Sequence, residues 1–534
     1  MYGYKTLRVT YFCIAFELLT LYAFRLHTGD EGIGYLAAVA VIDLILWLIF
    51  GRGLAGVGGR MMKSRRKKGQ EENVRALWRI LRGSAVVQSI LGAGLLGVLS
   101  TVLLRGAFHM PRAAILGWVL APAFFLRGMS EMLRGYCEGH ESNKAGMISD
   151  VLRALTFPLF GELLLTAMQG YGQKVASLLK VDDFVSIYAC FGVCIGWSVS
   201  EVFAFLFLLV HAIITAGRGV RVADPVRSRE NRMALFYGLW RKRGDSILTG
   251  LLVVFPFLAV LLLLTKPGTD AVDGLALAHA YGRFLSTGFL IPLVLAVLSL
   301  WILAALQERC IVAIRKEEYR YLKTLYQEGF HLSVVCGSFA FGYLAAVCRS
   351  LGELLVPGNG KAAENAILLG GLAALLVVVN FWMMKTLIYC GHLLEHIAIL
   401  VLGDGAFLLS FLLLRGKYES IGGALPLSFL IWQLVMTIGL LLLLWIRWKL
   451  SVDLIRTALL PIVVSSLLAL IQMLVARGIS PHLGNIFTVL FCLVAQFFLY
   501  LVVLLILRNL PEREIRYLPG AVLIERLAQL LHAI

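Results

Sequence analysis

The chain has 534 residues, of which 60% are hydrophobic and 15% charged, and its formal net charge is +17. Soluble domains carry about 25% charged residues, so composition excludes a soluble globular protein. The surplus of Lys and Arg would suit a nucleic acid, but the charges fall in alternate loops between apolar runs, a membrane-topology pattern that argues against that partner.

At about 20 apolar residues per crossing, the sequence predicts an all-α polytopic membrane protein with about 14 transmembrane helices. The first two spans cover residues 9–24 and 34–54, and a basic loop over 60–82 follows, with the run Lys63-Ser64-Arg65-Arg66-Lys67-Lys68. Spans three to six cover 84–104, 113–134, 145–168 and 185–214, and a second basic loop covers 218–243. Spans seven and eight cover 247–265 and 275–306, before a charged loop over 308–328. Spans nine to twelve cover 331–355, 366–389, 393–414 and 421–446, and the last pair covers 454–475 and 483–507. The tail from 509 to 534 spaces Leu and Ile among charges at helical intervals, which predicts an amphipathic helix on the inner surface.

This pattern gives an N-terminal six-helix lobe (1–216), a cytoplasmic basic linker (217–246), a C-terminal six-helix lobe (247–450), two additional helices (451–508) and the tail (509–534). With the amino terminus inside, the inside loops collect about 35 Lys/Arg and the outside loops about 10, which predicts both termini in the cytoplasm. Lys5 and Arg8 precede the first span and no small-x-small site follows it, so that helix is expected to stay uncleaved. The nine cysteines form no CxxC and no metal spacing, and they read as packing residues. There is no Walker A, GxSxG or HExxH, so no cofactor, metal or enzymatic activity is expected. His392, Glu395 and His396 read as interfacial polar residues.

Charged residues inside the spans are the candidate functional groups, because such groups are costly in hydrocarbon and face a neighbouring helix or a water-filled cavity. Arg127 and Glu131 stand four residues apart and Asp150 and Arg153 three apart, so each pair can meet on its own helix. The plain reading is helices that neutralise one another; the functional reading is a polar cavity lined by Arg127 or Arg153. Arg25, at the outer end of span one, and Arg283, with no acid within four residues, complete the interior arginines. Arg52 and Arg60 lie at the inner end of span two, as a first contact or as topology anchors. Glu17, Asp43 and Asp404 lack a local base and are candidates for coupling to H+ or Na+, since desolvation lets a carboxyl exchange a proton near neutral pH. Pro158, Pro256, Pro292 and Pro426 permit helix bends.

Arg134-Gly135-Tyr136-Cys137-Glu138-Gly139, at the end of span four, resembles the R-G-Y-x-x-G signature of bacterial polysaccharide and lipid-linked sugar flippases in the MATE-like superfamily. The resemblance implies two six-helix lobes related by a pseudo-two-fold axis, followed by two extra helices along which a lipid tail would run. It implies a polyprenyl-(pyro)phosphate-linked sugar as substrate, moved between leaflets of a bacterial cytoplasmic membrane by a monomer in contact with membrane lipids. A guanidinium suits such a phosphate head, and Arg25, Arg52, Arg127, Arg153 and Arg283 are the substrate-binding candidates. The sodium site of one branch needs an acid on span seven, and residues 247–265 contain none. An ion-coupled drug exporter of the MATE type, or a membrane enzyme acting on lipid-linked sugars, is the alternative. The outside loops are short for the enzyme.

Overall fold

The computed structural model describes residues 3–217, 230–264, 274–356, 360–414, 421–448 and 453–531, and among them every regular element is helical. Among the described residues, thirteen segments are long and apolar enough to cross a membrane. One of them, Leu7–Lys67, has 61 residues, about 90 Å at 1.5 Å per residue against a hydrocarbon core of ~30 Å. It is broken at Gly29 (φ 70°, ψ 179°) inside α1 (Gly3–Phe50), so α1 is two crossings in one continuous helical run. Counting α1 twice turns the thirteen segments into fourteen crossings, the number that hydropathy predicts.

The elements continue as α2 (Leu54–Lys67), α3 (Glu71–Val102), α4 (Leu116–Gly139), α5 (Asn143–Leu179), α6 (Asp183–Gly217), α7 (Arg232–Leu264) and α8 (Gly274–Phe284). They are followed by α9 (Ile291–Arg315), α10 (Tyr319–Leu355), α11 (Gly360–Tyr389), α12 (Leu393–Leu414), α13 (Ile421–Trp448), α14 (Leu460–Leu483) and α15 (Asn485–Ile506). Two short helices, α16 (Glu512–Ile515) and α17 (Ala521–Leu530), end the chain.

Where they are described, the basic segments are helical. Residues 54–67 form α2 and residues 71 onward already belong to α3, leaving only a short turn between them. The charged stretch 308–328 is likewise the end of α9 and the start of α10. Of the basic linker, residues 218–229 lie outside the described residues, and from Arg232 onward it is α7. Hydropathy marks only the part of a helix that lies in hydrocarbon; charged residues extend the same helix into the headgroup region at no desolvation cost.

Packing divides the chain into two units, one of residues 20–282 and one of residues 1–19 with 283–534. These divisions fall inside α1 and at the end of α8, not at the basic linker. In the first unit, α3 shows why its sequence folds as it does: Leu77, Leu81, Ala85, Gln88, Gly92 and Leu96 are buried at three- and four-residue spacing, while Val87, Ile90, Leu91, Leu95 and Val98 are exposed. In the second unit, α10 is buried along most of its length and packs against α9, α11, α14 and α15.

The R-G-Y-x-x-G segment has a packing explanation in the first unit. A Cβ at Gly135 would stand 3.0 Å from the Ala55 Cα, and one at Gly139 would stand 2.9 Å from the Met62 Cβ. The glycines let α4 touch the backbone of α2. Arg134 then reaches across to α5, donating to the Asp150 carboxylate and, at 2.8 Å, to the Gly146 carbonyl, and it also pairs with Glu131. Gly135→Val should therefore cost about 1–3 kcal/mol by overpacking, read as a lower unfolding midpoint in detergent, whereas Gly83→Ala, with open space around it, should leave the midpoint in place.

Three wide π turns interrupt the helices, at Leu103–Ala107, Leu285–Leu290 and Ile455–Leu459. The second and third run directly into helices with a proline in their first turn, α9 and α14. A proline lacks an N–H and crowds the carbonyl four residues back, and a wider turn relieves both. Pro292 thus stands beside a π turn, while Pro158, Pro256 and Pro426 lie inside α5, α7 and α13.

Candidate functional site

Most interior arginines of the first unit meet acids on other helices or across a kink. Arg25 donates to Asp30 at 2.6 Å, spanning the break at Gly29, and both side chains are about nine-tenths buried. Arg127 on α4 holds both oxygens of Asp43 on α1, at 2.8 and 3.1 Å, and its guanidinium lies 4.0 Å from the centroid of the Trp47 ring. Arg153 on α5 pairs at 3.7 Å with Glu201 on α6, which is 1% exposed and also accepts from Trp197. Glu131 meets Arg134 three residues along its own helix, while Arg134 also reaches Asp150, Arg127 meets Asp43 and Arg153 meets Glu201 across helices. Asp43 accordingly has a base, supplied from α4. Partners on a separate helix neutralise both charges and also tie two elements together, which an in-helix pair cannot do.

Two of the five substrate-binding candidates meet no acid among the described residues. Arg52 is exposed at the break between α1 and α2, its guanidinium beside Gly250 of α7. Arg283, in the second unit, closes α8 just before a π turn, and its buried Nη2 has no hydrogen-bond partner among the described residues. The carbonyl of Arg283 accepts from Ser286 and Thr287, which caps the wide turn.

Of the coupling candidates, Glu17 is half-buried on the N-terminal half of α1. Asp404 on α12 is 5% exposed, and among the described residues neither carboxylate oxygen makes a full hydrogen bond, although the indole N–H of Trp432 on α13 faces it. On the adjoining helices, Asn380 of α11 donates to Gln433 of α13 at 3.0 Å and accepts from Thr437 at 2.8 Å. No group of three or more metal-ligating side chains occurs among the described residues.

Sequence reasoning misses one residue, Arg243. It lies in the stretch that hydropathy assigns to a linker, yet it sits inside α7 with no exposed surface. Its donors are directed at the carbonyls of Ile49 and Phe50 (3.2 Å each) and Arg52 (3.0 Å) and at the Gln88 side chain (3.0 Å), and Trp240 stacks 4.7 Å away. The carbonyl end of a helix carries partial negative charge, and Gly53 (φ 84°) turns the chain there into α2 in a left-handed conformation that suits glycine. A cation thus holds the break between α1 and α2 in place without any carboxylate. The glycine run 51–59 is the available signal, since it announces a break whose carbonyls need donors.

No protein-family model and no curated protein sequence matches the chain. Solved structures do. The lipid II flippase MurJ in an inward closed conformation is similar with a TM-score of 0.56 at 11% identity, over 92% of this chain and 97% of that one. A point mutant of the Vibrio cholerae MATE transporter VcmN gives 0.55 at 14% identity, over 84% and 97%. The eukaryotic MATE transporter AtDTX14 gives 0.53 at 14%, again over 84% and 97%. At such identities the likeness speaks for the fold alone: the chain shares the all-helical fold of these MATE transporters and of the lipid II flippase.

Proposed function

We propose that the chain is a flippase that carries a polyprenyl-(pyro)phosphate-linked sugar across a bacterial cytoplasmic membrane by alternating access, with both termini in the cytoplasm. The observation that supports a flippase over an exporter is extent. The lipid II flippase aligns with 92% of the chain where the two MATE transporters align with 84%, and the sequence reading counts two spans, α14 and α15, beyond twelve.

Arg283 and Arg52 are the cations best suited to the phosphate head, because Arg25, Arg127 and Arg153 already answer carboxylates. A guanidinium with an unmade hydrogen bond can take an anionic oxygen without first breaking an ion pair. In vesicles holding a fluorescent polyprenyl-pyrophosphate sugar, Arg283→Ala should slow delivery to the outer leaflet about 10- to 100-fold, the worth of one charged hydrogen bond, while membrane insertion is kept. Delivery at the wild-type rate removes Arg283 from the site.

One observation favours the second reading, an ion-coupled exporter of cations: pairing of three arginines leaves less positive charge inside, and Asp404 is a buried carboxylate that meets no base among the described residues. Uptake of a cationic dye driven by an imposed H+ or Na+ gradient, lost in Asp404→Asn, would select that reading.

A further inference from the structure

The C-terminal tail is read from sequence as a helix resting on the membrane, but its first part is built into the second unit. Leu510, Glu514, Ile515 and Tyr517 are all buried, as is Asn509. At the centre stands His331 of α10, 4% exposed. Its Nδ1 lies 2.6 Å from Glu514 Oε2 and its Nε2 lies 2.9 Å from Asn509 Oδ1. The Asn509 amide is oriented by its own Nδ2, which donates to the Arg456 carbonyl at 2.8 Å, so the oxygen is the atom turned to the ring.

Both ring nitrogens therefore face oxygens. Nε2 must carry a proton to satisfy Asn509, and the short Nδ1 contact to a carboxylate needs a second proton between ring and acid. A neutral ring with its lone pair against an ionised Glu514 would be repulsive in a site without water access. We propose that residues 509–517 are a proton-held clasp, which fastens the start of α14 to the inner length of α10 while His331 and Glu514 share that proton and lets go when it is lost.

Groups on α9, α15 and the turn before α14 surround the clasp, and Glu328 of α10 itself adds negative charge near Glu514. From the turn leading into α14, Arg456 adds a positive charge near the ring and its Nη2 donates to the Arg508 carbonyl at 3.2 Å. From α9, Arg309 donates to the Tyr517 hydroxyl at 2.7 Å, and Tyr517 in turn reaches Glu328 of α10. From α15, the Tyr500 hydroxyl donates to the Val335 carbonyl one turn along α10, next to the thiol of Cys336. Burial raises the Glu514 carboxyl above its ordinary value, opposed by the imidazole beside it. The sign follows: the closed clasp keeps one proton that the released tail gives up above the ordinary His value of about 6.5, so closure is favoured below that range and lost as pH rises through the titration of the pair.

The test is hydrogen–deuterium exchange of the full chain in lipid nanodiscs from pH 6 to pH 9, corrected for intrinsic exchange and followed on peptides covering 505–520. Protection there should fall by up to about tenfold per pH unit above the titration of the pair, while peptides from the middle of α10 stay protected. Glu514→Gln and His331→Gln, which keep size and hydrogen bonding without the shared proton, should make the protection of 505–520 independent of pH. Flat protection in the wild type overturns the proposal, and so does a pH response that survives in Glu514→Gln, the substitution on the tail side that leaves α10 intact.

Discussion

Replacing Arg243 with alanine should destabilise the protein by roughly 3 kcal/mol. Four acceptors lose their donor together, the carbonyls of Ile49, Phe50 and Arg52 and the Gln88 amide oxygen. Each buried group left unsatisfied costs about 1–3 kcal/mol, reduced here because a buried cation is removed as well. Arg243→Lys keeps the charge but has no planar fork, and it should recover less than half of the loss. The measurement is the unfolding midpoint in detergent, with hydrogen exchange over residues 49–57 as the local readout. If alanine leaves both where they are, the cation does not hold the break.

The second large effect is expected at Asp43 and Arg127. Asp43→Asn strands a guanidinium between α1 and α4 whose Nε already has no hydrogen bond among the described residues, and breaking a buried pair costs about 3–5 kcal/mol. Arg127→Met should cost a similar amount by stranding the acid. The double substitution Asp43→Leu with Arg127→Met should be milder than either single change, since two apolar residues of similar volume replace the pair. A coupling energy near zero in that cycle would show that the two groups act separately. Folding and transport also part company here: a double variant that folds and still delivers substrate excludes Arg127 from the phosphate contact.

How much of this was legible in the residues can be judged at particular places. The crossings were, because a 20-residue apolar run is a physical length, and even the merged helix α1 divides at the glycine where hydropathy dips. The ends of helices were not. Arg65, Glu71 and Tyr319 are all helical or within one residue of a helix end, and a charged helix outside the hydrocarbon looks like a charged loop to a hydropathy scale. Charge partners were the least legible feature. Spacing can show that Arg127 reaches Glu131, but only packing shows that Asp43, 84 residues away in sequence, lies nearer. Arg283 was singled out for the absence of a nearby acid, and among the described residues it still meets none. His331 gave no sign at all, because its partners lie 178 and 183 residues downstream.

The wide turn at Leu285–Leu290 carries one residue more than an α-helix would use. A wide turn takes up its extra residue within one turn, so deleting Ser286 or Thr287 would restore the α-helical ladder and keep the residues beyond on their present faces, whereas the same deletion early in α9 would swing every later side chain by about 100° around the axis. The face of α9 that now carries Ala296, Leu300, Leu303 and Gln307 inward would turn toward lipid. The surplus residue is a local reserve of chain, so a one-residue deletion is tolerable at the wide turn but not within α9, where the helix keeps its inward face by count rather than by composition.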